Sequence, residues 1–266
     1  MISDSTKTMA RRADSIRLRA VRMVAPHGFG YLGQALSAAE LFAVLHERYR
    51  PGEDSLVVSP GHYIIAAYAA GAEVGLLDAA QLATYGFDDS ALEAIGTERS
   101  PGVELTAGSL GTGLSGAVGL ALADRFDGRD DAKVFAVVSD GELEEGQVWE
   151  AALFAAHHRL DSLVVLLDAN DSQVDGPVSS ITTLEPIADK WRSFGWAAFD
   201  VDGHDVSAID EALTAALAAP SPVAVICRTS TTHGLACLPP DADGHFIKLP
   251  PELAAAAISE LEARLA

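Results

Sequence analysis

Three observations predict an α/β fold, a doubly wound, mostly parallel sheet with helices on both faces. Short runs rich in valine and leucine, at 134–138 and 163–167, have strand length and no polar alternation, as expected of strands buried on both faces. They bracket a stretch of helical apolar spacing at 147–158, which makes a right-handed strand–helix–strand unit. The same succession returns less strongly between residues 186 and 227. No Gly/Ser linker, charge run or fixed-period repeat divides the chain, so residues 1–266 are expected to form a single domain.

Taken in order, residues 9–24 and 37–49 carry apolar positions at helical spacing. Between them PHGFGYLGQA places glycines at 28, 30 and 33, a poor helix interior, and is expected to be a loop whose backbone approaches a ligand. The apolar stretch 55–59 followed by Pro60, Gly61 and His62 reads as strand, then turn, before a long apolar helix. From 86 to 106 the period is lost and turn residues collect, which predicts a long functional loop or flap. Helical spacing resumes after GSLGTG at 108–113. Beyond the central unit come a helix at 186–194, a strand at 196–201, a helix at 206–217 and a strand at 223–227.

Composition narrows the classes of function. With 49% hydrophobic residues and a formal charge of −20 over 266 residues, the chain has ample material for a core. Its longest largely apolar run, 63–72, falls far short of the roughly 18 residues of a membrane span, so a soluble protein without membrane contact is expected. Lys7, Arg11, Arg12, Arg17, Arg19 and Arg22 are interrupted by Asp4 and Asp14 and read as a surface helix rather than a targeting arm. Beyond Arg22 the balance is acidic, which argues against nucleic acid as a partner because phosphate contacts demand a basic face. Two cysteines, Cys227 and Cys237, build neither a disulfide framework nor a CxxC site, and a reducing cytoplasm fits best. Small molecules and other proteins remain as partners.

In a doubly wound sheet, ligands bind beyond the carboxyl ends of the strands. That edge carries Ser139-Asp140-Gly141-Glu142 after one strand and Asp168-Ala169-Asn170 after the next. Asp140 offers a carboxylate and Asn170 an amide oxygen, while Gly141 lets a phosphate approach the backbone, so magnesium with a diphosphate is the natural occupant. Alone, Asp-Gly and Asn-Asp are more often turn pairs that close strands. The text between them decides otherwise. The stretch SDGELEEGQVWEAALFAAHHRLDSLVVLLDANDSQVDG at 139–176 resembles the thiamine-diphosphate signature of transketolases, which opens with GDG and ends about thirty residues later in Asn. EEGQVWEA, His157-His158 and QVDG tie the resemblance to the transketolase branch. It extends to LSAAEL at 36–41, SPGHY at 59–63, PGVELTAGSLGTGLSGAVGLALA at 101–123 and VDGHD at 201–205.

The resemblance implies thiamine diphosphate and Mg2+ as cofactors. Asp140, Asn170 and the backbone carbonyl of Ser172 match the family's metal ligands. Gly108, Leu110, Gly141, Glu142, Asn170 and Val174 are expected against the cofactor, and His62 and His245 are expected to reach into the site as catalytic groups. Glu145 matches an acid that couples two active sites across the family's dimer. His46, His157, His158 and His204 are expected to be structural.

Several positions depart from the family pattern. Ser139 replaces the first glycine of GDG, and Tyr31 stands for a substrate-contacting histidine. The family's GHP is replaced by Ala94-Ile95-Gly96-Thr97, and a lysine-glycine-lysine-glycine segment by Thr231-Thr232-His233-Gly234. The metal ligands are kept while sugar-contacting groups change. The match covers only the first domain of full transketolases, which implies the amino-terminal subunit of a split enzyme. A separate carboxy-terminal subunit would then carry the pyrimidine-binding domain and the glutamate that activates the cofactor, and a second copy of this chain would complete the assembly. The implied activity is two-carbon ketol transfer from a ketose-type donor to an aldehyde. A 2-keto acid decarboxylase or carboligase subunit and a non-catalytic cofactor-binding scaffold are the rival readings.

Overall fold

The structure is a computed structural model that describes residues 4–239, 242 and 244–266. The chain opens with α1 (Asp4–Val24), β1 (Phe29–Gly30), α2 (Leu32–Ser37), α3 (Ala39–Leu45), β2 (Ser55–Pro60), α4 (Ile64–Glu73), α5 (Ala79–Leu82) and β3 (Leu105–Ala107). It continues through α6 (Thr112–Phe126), β4 (Val134–Ser139), α7 (Gly146–His157), β5 (Leu163–Ala169), α8 (Val178–Ile181) and α9 (Ile187–Ser193). Then follow β6 (Ala197–Asp202), α10 (Val206–Leu217), β7 (Val223–Arg228), β8 (Ile247–Lys248) and α11 (Pro251–Leu265). Six strands form one parallel sheet in the order β3-β2-β4-β5-β7-β6.

Side-chain alternation along the strands splits the interior into two cores. Leu56, Val58, Phe135, Val137, Val164 and Leu166 face a layer formed by α1, α3, α4, α10 and α11. Their neighbours Val57, Val134, Ala136, Val138, Val165 and Leu167 face α6, α7 and α9. Both faces being covered is why these strands read as continuous apolar runs. The expected central unit is present, with Val134 paired to Leu163 and Ser139 to Asp168. That register brings the ends of β4 and β5 to the same edge of the sheet. Residues 86–104 contain no helix or strand, in line with the expected long loop, which ends where β3 begins at Leu105.

Two expectations are corrected. PHGFGYLGQA is not an open loop, because Leu32–Ser37 is a buried helical turn and a half. Gly33 is required there by the chain itself: a β-carbon at this position would lie 1.8 Å from the carbonyl oxygen of Gly244. The close approach is therefore to the segment that carries His245, not to a ligand. Residues 37–49 likewise form not one helix but the end of α2, then α3 after a break at Ala38. The carboxy-terminal α11, with proline at its first position, packs on α1.

A buried polar cluster ties the first face together. Arg17, almost fully buried, donates to the Leu36 carbonyl and to Glu40, which also receives His204 Nδ1 at 3.2 Å. The Arg17 guanidinium and His204 hold the Glu40 carboxyl below its ordinary value against the opposing effect of burial. Ser230 N–H donates to His204 Nε2 at 2.9 Å, so the ring proton sits on Nδ1 and faces Glu40. Glu40, His204 and His233 lie close enough to suggest a metal site. A metal on Nδ1 would leave an Nε2–H pointing at the Ser230 N–H, so the cluster is a latch for the 229–234 loop. Glu40→Gln is expected to cost about 3 kcal/mol by leaving Arg17 undercompensated. Because the Glu40 pKa is lowered, its stabilisation is present above the unfolded value and lost as pH falls through the folded one. Urea unfolding of both proteins should therefore converge in acid and diverge towards neutrality.

Candidate active site

The carboxyl edge of β2, β4 and β5 opens into a cavity of about 330 Å³. Its wall includes His62, Gly108, Leu110, Gly141, Glu145, Ser172, Val174 and His245, eight residues singled out from the sequence. Tyr31, Tyr63, Ile95 and Gln173 complete much of the rest. A side chain at Gly108 would project into open space, and one at Gly141 would meet only Gln173 and Val178 at ordinary contact distance. Both glycines thus leave room for a ligand against backbone. Val174 is 76% exposed, an apolar side chain standing at the mouth without cover.

Asp140 ends β4, with Oδ1 accepting from Gly141 N–H at 2.8 Å and Oδ2 from Asp171 N–H at 2.6 Å. Burial, with the nearby Asp168 charge, raises its carboxyl to about 7, and the two backbone donors only partly offset this. Two buried carboxylates side by side make a region that favours a cation. Asn170, 8% exposed, presents its amide NH2 to Asp168, Tyr63 and Ser37, while Oδ1 faces the turn where Ser172 N–H donates at 3.0 Å. Carboxylate, amide oxygen and backbone carbonyl are hard oxygen donors, the set that suits magnesium or calcium. A larger cavity of about 520 Å³ also borders Asp140, lined by Thr183, Leu184, Arg228 and Thr229 among others.

Glu142, expected against the cofactor, has a fully buried side chain that does not border the 330 Å³ cavity. Its Oε1 accepts from Ser59 Oγ at 2.5 Å and from Gly111 N–H at 2.7 Å, so it supports the glycine loop from beneath. Burial raises its carboxyl to about 7, against the pull of those donors. Gly111, at φ +83°, is the left-handed residue that turns this loop into α6.

His62 and His245 face each other with ring centroids 5.0 Å apart, and Tyr31 lies 5.2 Å from His62 and 5.7 Å from His245. Burial, then the neighbouring His245, lowers His62 to about 3. At neutral pH His62 is an uncharged hydrogen-bonding group. Glu145 is exposed at the start of α7. Sequence reasoning did not single out Tyr63, which lines the cavity, or Ser37, Asp168 and Thr229, whose hydrogen bonds converge behind Asn170. The available signal was Tyr63 beside His62 in SPGHY and Asp168 two residues before Asn170.

The family model described as "Transketolase, thiamine diphosphate binding domain" matches residues 8–257. A transketolase family protein of Sinorhizobium fredii is 39% identical over 268 residues, covering 96% of each chain. The 6-deoxy-6-sulfo-D-fructose transketolase subunit SqwG of a Clostridium species is 36% identical over 272 residues, covering 98% of each. Among solved structures, the transketolase of Campylobacter jejuni superposes with a TM-score of 0.88 at 25% identity, covering 96% of this chain and 43% of that one. The chain therefore belongs to the transketolase family and is built on its thiamine diphosphate binding domain.

Proposed function

We propose that this chain is the diphosphate-binding subunit of a two-chain, magnesium-dependent transketolase-like enzyme that moves a two-carbon ketol unit from a ketose-type donor to an aldehyde. The observation that carries the reading is Asp140 and Asn170 at adjacent parallel strand ends, beside a cavity walled by Gly108, Gly141, His62 and His245. The oxygen donor set and the space beyond the two glycines fit a magnesium diphosphate. The relative from Clostridium is named a subunit, which supports a separate partner chain. Phe126, Leu153 and Phe154 are 81%, 58% and 44% exposed on α6 and α7, and this apolar face is assigned to a second copy.

Asp140, Asn170 and the Ser172 carbonyl would hold the metal, and Leu110 and Val174 would pack on the cofactor rings. Bound thiamine diphosphate supplies the carbon centre that takes up the electron pair when the bond beside the donor ketone breaks. His62, neutral at working pH, orients donor oxygens by hydrogen bonds rather than delivering a proton as imidazolium. His245 lies against it and shares that task. Glu145, exposed at the start of α7, would face the second copy.

Among the described residues the cavity wall has no lysine or arginine, and its carboxylates are Glu144 and Glu145. An anionic group on the donor would then be held by the partner chain. Tyr31 also packs edge-on to Phe246 at 5.1 Å, which makes this end of the wall aromatic. Tyr31 and Ala94-Ile95-Gly96-Thr97, standing where the family has histidines, favour a donor that differs from common ketose phosphates, and the Clostridium relative's name points to sulfonated ketoses as one class to try. The test is a screen of ketose phosphates, sulfonated and unmodified ketoses and 2-keto acids with the complete complex. Weak use of xylulose 5-phosphate is expected, improved only modestly by Tyr31→His because 94–97 is also rebuilt. Efficient turnover of xylulose 5-phosphate would overturn the altered-donor reading, and preference for 2-keto acids would overturn ketol transfer.

A further inference from the structure

Asp168 is a fully buried carboxylate that does not border the cavity, yet four side chains converge on it. Ser37 Oγ donates to Oδ2 at 2.5 Å, Tyr63 OH at 2.8 Å and Asn170 Nδ2 at 2.9 Å, while Thr229 Oγ1 donates to Oδ1. These donors come from α2, the turn after β2, the end of β5 and the segment after β7. None is a cation. An ionised carboxylate accepts from all four, which turns the Ser37 and Tyr63 hydroxyl hydrogens towards Asp168, the closer acceptor for Ser37 Oγ than the Gln34 carbonyl at 3.3 Å. Their oxygen lone pairs are then left for Asn170, whose NH2 reaches Tyr63 OH at 2.9 Å and Ser37 Oγ at 3.3 Å.

Every group around the Asn170 nitrogen is thus an acceptor. On the other side of the same amide, Ser172 N–H is a donor and requires the oxygen. A flipped amide would place its oxygen against the Asp168 carboxylate and its NH2 against an N–H, so the polarity of the whole ring selects one orientation. We infer that Asp168 is a positioning residue: its carboxylate, through Ser37 and Tyr63, locks the Asn170 amide with the oxygen turned to the cation. This deepens the proposed function and rests on its metal site.

The experiment measures Mn2+ binding to the complete complex by electron paramagnetic resonance, together with thermal unfolding without metal or cofactor. Asp168→Asn is nearly isosteric but offers an NH2 that competes for the same hydroxyl oxygens, so the network loses its single polarity. A 10–100-fold loss of Mn2+ affinity is expected, the range for outer-shell partners of a metal ligand. Tyr63→Phe and Ser37→Ala, each keeping the charge but removing one relay, should give smaller losses that combine in the double variant. Unchanged affinity in a folded Asp168→Asn protein overturns the inference. Should that variant not fold, unchanged affinity in the Tyr63→Phe, Ser37→Ala double variant overturns it instead. Asp140→Ala is measured in parallel. If it too leaves Mn2+ affinity unchanged, the metal-site reading fails, whereas loss in Asp140→Ala alone rejects only the positioning role.

Discussion

Asp140→Ala is expected to abolish magnesium-dependent binding of thiamine diphosphate, with a loss exceeding the 10–100-fold typical of an outer-shell change. It removes the one carboxylate in the proposed ligand set, leaving Asn170 and a backbone carbonyl to balance a divalent cation and a diphosphate. The fold should survive. Asp140 accepts two backbone hydrogen bonds, from Gly141 and Asp171, but its ionised form is disfavoured by burial and by the adjacent Asp168. Removing one of two neighbouring buried carboxylates relieves that repulsion, so thermal unfolding without cofactor should change little. Calorimetry of cofactor binding to the complete complex checks the first expectation, and unchanged affinity would overturn the site assignment.

How much of this was legible in the sequence depends on how local the cause is. Val134–Ser139 and Leu163–Ala169 were readable to within two residues because strands covered on both faces need apolar side chains at every position. Once those strands were placed, Asp140 and Asn170 followed at the sheet edge. The helix Val206–Leu217 was equally plain, its amino end capped by Asp205, which accepts from Ser207 and Ala208 N–H.

What stayed hidden was set by distant pairings. The Asp168 partners lie at positions 37, 63, 170 and 229, and no periodicity links them. Gly33 looked like a loop glycine because its reason, the Gly244 carbonyl, is more than two hundred residues away. The side-chain direction of Glu142, two residues from Asp140, was not readable either: the turn after Asp140 sends it under Gly111. The two-residue pairing of Phe29 and Gly30 with Lys248 and Ile247 is too short to leave any pattern. The helix α11 was not predicted either, although Pro251 at its start and Ala254, Ala257 and Leu261 on one face were a helical signal.

The second large effect concerns the chain by itself. The purified 266-residue chain should show no ketol transfer, and cofactor affinity well below that of the complete complex. The cavity it contributes is a half-open wall: Val174 is 76% exposed at the mouth and Ile95, also on the wall, is 44% exposed. Cofactor rings laid against these side chains would keep their far face in water, forgoing the burial that usually holds such a ligand. The acid–base group that activates the cofactor is also expected elsewhere. His62 is held neutral, and Glu142 is turned away beneath the glycine loop. The glutamate that the family resemblance assigns to activation belongs to the pyrimidine-binding domain. A positioned general acid or base contributes about 100–10 000-fold, so its absence alone should slow turnover by that factor. Adding the partner chain should restore activity and tighten cofactor binding together, because one surface supplies both the missing cover and the missing acid. Robust turnover by the single chain, with no co-purifying polypeptide, would overturn the two-chain reading. Tight cofactor binding without turnover would leave that reading standing and place the partner's contribution in acid–base chemistry rather than in closing the pocket.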